Sequence, residues 1–225
     1  MSLGCDPCGF ALLEWLIHTP TASTLVDLRL SLSYSSPTHQ NRTRPDRKLD
    51  DYIQVFAPSI RWAEFGRMST RAPRDEISLS GFSKLESLDL EATDGEWSRV
   101  ADMLRALPAR LHTLVFLPAA WDPSSRESDR LIEEDGEFKA MRTNDLELLD
   151  PVLSRDNFKG LRRLTFKLDG YRDVLDPLRE TILETIQLKL PTLHSRGCLD
   201  LQLNCYERVT LPAVAERKES GQAAV

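Results

Sequence analysis

Four stretches of this chain repeat one arrangement of apolar and polar positions. They read Leu25-Val-Asp-Leu28-Arg-Leu30, Leu85-Glu-Ser-Leu88-Asp-Leu90, Leu111-His-Thr-Leu114-Val-Phe116 and Leu161-Arg-Arg-Leu164-Thr-Phe166. The second half of each phrase alternates, and a period of two puts the large apolar residues on one side of a strand and the residues between them on the other. Strands are expected over 25–33, 83–91, 111–117 and 161–168. Leu199, Leu201 and Leu203 alternate as a less complete fifth strand.

Between the strands the apolar period lengthens to that of a helix. Leu49, Tyr52, Ile53, Phe56 and Ile60 form a stripe over 49–62 that Pro58 ends or kinks. Thr93-Asp-Gly-Glu96 is a capping-box sequence ahead of Trp97, Val100, Ala101, Leu104 and Leu107, and Asn144-Asp-Leu-Glu147 repeats it ahead of Leu149, Val152 and Leu153. Val174, Leu175, Leu178, Ile182, Leu183 and Ile186 make the clearest stripe. Pro177 fits there as the first helical residue behind an Asp176 N-cap, after Gly170 has turned the chain. Apolar residues from Phe10 to Ile17, closed by Pro20, read either as the end of a helix from a preceding unit or as a cap over the first strand. Alternating strands and helices predict an α/β fold with parallel strands on one face and helices behind.

The spacing is that of an irregular array. From Leu85 to Leu111 is 26 residues, inside the roughly 20–29 of a leucine-rich repeat. From Leu25 to Leu85 is 60, from Leu111 to Leu161 is 50 and from Leu161 to Leu199 is 38. Polar insertions at 34–48 and 119–141 account for the longer units, with a short helix allowed at 128–138. The expectation is a single leucine-rich-repeat-like solenoid domain over 1–214, followed by a disordered tail at 215–225. The asparagine or cysteine that usually follows the strand of such repeats is missing from all four phrases.

If the strands lie side by side, the residues between the leucines form one panel. It runs from Asp27, Arg29 and Ser31 through Ser87, Asp89 and Glu91, then Thr113, Val115 and Leu117, then Arg163, Thr165 and Lys167, to Asp200, Gln202 and Asn204. One section is acidic, one apolar and one basic, which suits a specific protein or peptide better than a polyanion. Arg29, Asp89, Glu91, Thr113, Val115, Arg163, Thr165 and Lys167 are the candidate binding residues.

Charge and chemistry narrow the picture further. The net charge is −6, and the first 80 residues carry nine charges of each sign, so the acidic excess lies beyond them. General nucleic-acid affinity needs basic clustering and is not expected. No run is long and apolar enough for a membrane span, and four cysteines are too few for a disulfide framework, so a cytoplasmic or nuclear setting is expected. Cys5-Asp-Pro-Cys8 lacks two further nearby ligands for zinc and a strand before it for redox chemistry. No phosphate loop, dinucleotide fingerprint, metalloprotease helix or nucleophile elbow occurs. The acidic run at 133–137 reads as a solvated segment, and Trp62, Trp97 and Trp121 as core. No catalytic residue, metal or cofactor is expected.

The irregular leucine-rich strands, Trp121-Asp-Pro, the helix over 145–158 leading into Phe158-x-x-Leu-Arg-Arg-Leu-x-Phe166, and Leu190-Pro-Thr-Leu-x-Ser-Arg-Gly-x-Leu199 resemble the C-terminal region of fungal, mushroom-type F-box-like proteins. The resemblance covers most of 80–205. It implies a leucine-rich array that holds a ubiquitylation substrate. No F-box pattern stands ahead of the first phrase, so direct docking to a cullin-linked adaptor is not expected. The reading is a non-catalytic protein-interaction module. A compact α/β enzyme without local signatures, or a gene fragment without an independent role, are the alternatives.

Overall fold

A computed structural model describes residues 2–4, 7–31, 49–66, 77–92, 97–118 and 145–207. Seven strands form one sheet: β1 (Ser2–Gly4), β2 (Asp27–Ser31), β3 (Trp62–Gly66), β4 (Ser87–Ala92), β5 (Thr113–Pro118), β6 (Arg163–Tyr171) and β7 (Leu199–Tyr206). Every pair is parallel, and the order across the sheet is the order along the chain. Parallel neighbours need a crossover connection. These connections carry α1 (Pro7–Ile17), α2 (Leu49–Phe56), α3 (Trp97–Ala106), α4 (Leu149–Leu153), α5 (Arg172–Lys189) and α6 (Pro191–Ser195).

The repeated phrase sets the register. Leu28, Ala63, Leu88, Leu114, Leu164 and Leu199 align across six strands, and Leu30, Phe65, Leu90, Phe116, Phe166 and Leu201 align in the next inward row. All but the partly buried Leu199 are buried, in one core with the apolar stripes of the helices. Trp97 of α3 drives its ring edge-on against Phe116 at 5.2 Å and Phe166 at 6.0 Å, which ties the helix layer to two strands.

The leading apolar residue of each phrase lies just ahead of its strand, and a main-chain arrangement recurs there. The carbonyl of Val26 accepts from the N–H groups of Arg61 and Trp62, that of Arg61 from Glu86 and Ser87, that of Glu86 from His112 and Thr113, and that of His112 from Arg162 and Arg163, all at 2.8–3.3 Å. Each unit thus hangs on the one before it through the second residue of the phrase. Before β7 this geometry gives way, and Arg196 stands near the position of the leading leucine. Its guanidinium donates to the carbonyls of Leu153 and Phe158 at 3.1 and 2.8 Å, and more loosely to Lys159 and Leu161.

Several expectations are corrected. The stripe at 49–62 is not one helix: α2 ends at Phe56, Ala57–Ser59 is a 3-10 turn that accommodates Pro58, and Trp62 opens β3. Gly170 does not turn the chain but lies within β6, paired with Cys205. α5 starts at Arg172, so Pro177 sits inside it rather than at its first position, and Asp176 is not its cap. Glu147 accepts from Lys189 Nζ at 3.0 Å, while Asn144, the cap of its expected box, lies outside the described residues. The Thr93–Glu96 box, the insertions at 34–48 and 119–141, Trp121 and the tail lie outside the described residues.

Candidate interaction face on the sheet

The face turned away from the helices is ordered by the same register as the core. One row runs Arg29, Glu64, Asp89, Val115, Thr165 and Asp200 across β2 to β7. A second runs Asp27, Trp62, Ser87, Thr113 and Arg163. Beyond them Glu91 pairs with Leu117, and Lys167 with Gln202. Four of the eight residues expected to bind, Arg29, Asp89, Val115 and Thr165, therefore share one row. Thr113 and Arg163 lie in the row beside it, and Glu91 and Lys167 lie further along their strands.

Arg29 is held from two directions. Its guanidinium carbon is 4.5 Å from the Trp62 ring centroid, and its Nε is 3.4 Å from a Glu64 carboxylate oxygen. Trp62, expected in the core at the end of a helical segment, is therefore a half-buried platform on the strand face. Neighbouring strands are about 4.8 Å apart, so Glu64 and Asp89 stand as a like-charged pair beside it. Burial, then the charge of Glu64, pushes the Asp89 carboxyl up to about 6, while Lys167 and Arg29 pull the other way. No hydrogen bond or ion pair of Asp89 is found among the described residues.

Thr165 departs from the expected exposed binding residue. Alternation turns it outward with Arg163 and Lys167, yet it is only 2% exposed, and its Oγ1 is buried with no hydrogen-bond partner among the described residues. Leaving a buried hydroxyl unmatched costs on the order of 1–3 kcal/mol. Glu64 and Trp62 are the site residues that sequence reasoning missed. The signal was present in Ile60-Arg-Trp-Ala63-Glu-Phe65, a degenerate copy of the phrase with alanine in the middle position.

Elsewhere the polar groups are occupied in holding the fold. An open cleft lined by Leu107, Pro108, Arg155, Asp156 and Asn157 has its polar side chains turned to structural work: Arg155 donates to the Arg105 carbonyl at 2.9 Å and Asn157 to that of Leu107 at 2.7 Å. Burial raises the Cys198 thiol, and burial followed by Asp176 raises that of Cys205, so both are poor thiolates. Among the described residues no three His, Cys, Asp or Glu side chains are grouped to hold a metal ion. No described helix is long and apolar enough to cross a membrane. No family model, curated protein or solved structure matches the chain.

Proposed function

We propose that the chain is an irregular leucine-rich-repeat-like solenoid and a non-catalytic protein-interaction module, binding a protein or peptide partner on its strand face. The substrate-holding arrays of F-box-like proteins are the kind of module it resembles. The observation that carries this is the continuous outward row from Arg29 to Asp200. It brings unlike chemistry from six strands onto one line, which is how a specific surface differs from a merely solvated one. A parallel sheet normally has helices on both faces, and the charged residues of this row favour a polar protein surface over a further helix layer.

The test is site-directed photocrosslinking of the full chain in cells, with p-benzoylphenylalanine in place of Val115 on the sheet or of exposed Glu184 on α5. Adducts from position 115, identified, purified and shown to bind the unmodified chain, are the expected result. Specific adducts from position 184 alone would move the binding surface to the helices and end this reading.

A further inference from the structure

The strand face has a chemical preference of its own. Its outward positions hold six carboxylates (Asp27, Glu64, Asp89, Glu91, Asp169 and Asp200) against three cations (Arg29, Arg163 and Lys167). Arg29 is engaged by Trp62 and Glu64, and Asp200 accepts a hydrogen bond from Gln202 Nε2 at 3.1 Å, which leaves Asp89 as the row's carboxylate with neither an ion pair nor a hydrogen bond among the described residues. Like charges side by side on neighbouring strands oppose folding, and a cation from outside relieves them. Two strand spacings away, roughly 10 Å, is the unmatched Thr165 hydroxyl, which can both donate and accept. Between them stands Val115, half-buried and apolar.

We propose, resting on the strand-face reading above, that this row receives a lysine or arginine of an extended partner peptide, with its cationic head between Glu64 and Asp89, its aliphatic stem over Val115 and its main chain at Thr165. The order of groups along the row matches such a residue from head to backbone. Long basic side chains lay their stems on apolar surface while the head seeks polar company, and a peptide group supplies the partner that a buried hydroxyl needs. A bare divalent ion fits less well, because three clustered ligands are not found among the described residues. Lys167, two residues beyond Thr165 on β6, lies close enough for its charge to act on Asp89. It is the movable neighbour that such a guest displaces and competes with.

The experiment pans a phage library of random 12-residue peptides on the full chain at pH 7.5, then measures the best synthetic binder by fluorescence anisotropy against variants. Basic peptides are expected to be enriched. Asp89→Asn should weaken them by about tenfold, the loss of one charge-assisted contact; Glu64→Gln and Thr165→Val should weaken them less, and Glu180→Gln on α5 not at all. Lys167→Met should strengthen them, because it removes the competing cation. Affinity should fall as pH drops through about 6, where Asp89 takes up a proton among Glu64, Arg29 and Lys167. Enrichment of acidic or wholly apolar peptides, indifference to Asp89→Asn, or weaker binding by Lys167→Met each overturns the proposal. If position 115 still crosslinks a partner whose binding ignores Asp89→Asn, the basic-residue inference fails and the strand-face reading stands. If crosslinking from position 115 also fails, both fall.

Discussion

The two sides of the sheet are built from the same strands and obey different rules. Inward, the rows through Leu28 and Leu30 contain only apolar residues, and their side chains meet the helices in one core. Outward, the row through Arg29 mixes charge signs, sets two carboxylates side by side and buries a hydroxyl with no partner among the described residues. The inward side is optimised for folding. The outward side carries local penalties that folding does not explain, and such penalties in natural proteins concentrate where function is performed.

The contrast is sharpest if substitutions on the two sides move stability in opposite directions. Phe116→Ala on the inward side removes a ring packed on Trp97 and Phe166 and should cost about 3–5 kcal/mol in urea unfolding; a loss below about 1 kcal/mol would show the core to be loosely packed. Arg196→Met removes donors to the carbonyls of Leu153 and Phe158 and should cost about 2–3 kcal/mol. Thr165→Val on the outward side keeps the shape and removes the unmatched hydroxyl. It should raise stability by about 1 kcal/mol, and a marked loss would mean that the hydroxyl has a partner in solution.

Asp89→Asn tests the same side through pH. The folded protein holds this proton up to about pH 6 against an ordinary value of 3.8, from burial first and Glu64 second. The folded state therefore binds more proton than the unfolded one between about pH 4 and 6, and its stability falls as pH rises through that window. Asp89→Asn should stabilise by on the order of 1 kcal/mol at pH 7.5, allowing for solvent screening. The gain should shrink steeply as pH falls towards 4 and disappear below about pH 3, where both states are protonated; thermal melts at pH 7.5 and about pH 3 check this. The smallest effect is expected at Arg29→Gln, whose pair with Glu64 is largely open to solvent and contributes under about 1 kcal/mol.

Much of the inward side was legible because strand alternation is a local signal. Leu88, Leu90, Leu114, Phe116, Leu164 and Phe166 lie two apart and are buried as their spacing says. β3 was not legible, since Ala63 weakens the phrase and the stripe from Leu49 to Ile60 looks like one helix until Pro58 is placed in a 3-10 turn. With Ile60 as a leading residue, the 60-residue gap after Leu25 divides into 35 and 25. The outward side was legible only in its direction. That Arg29, Asp89, Val115 and Thr165 share a row follows from register between strands far apart in the chain. That Glu64 joins them depends on the missed strand. The burial of Thr165 depends on neighbours in space, which no period within a strand reveals.

Strand order that follows chain order also has a mechanical meaning. Among the described residues each strand is laddered only to its neighbours in the chain, so tension applied along the polypeptide meets no ladder there that joins β2 directly to β6. Stretched from its ends, the protein should lengthen in a staircase of separate ruptures rather than one. The steps should differ in length, because the units do. The 25 residues from Ile60 to Leu85 would release roughly 85 Å of chain, and the 50 from Leu111 to Leu161 roughly 170 Å. The uneven insertions thus give each unit its own step length in a single-molecule force trace.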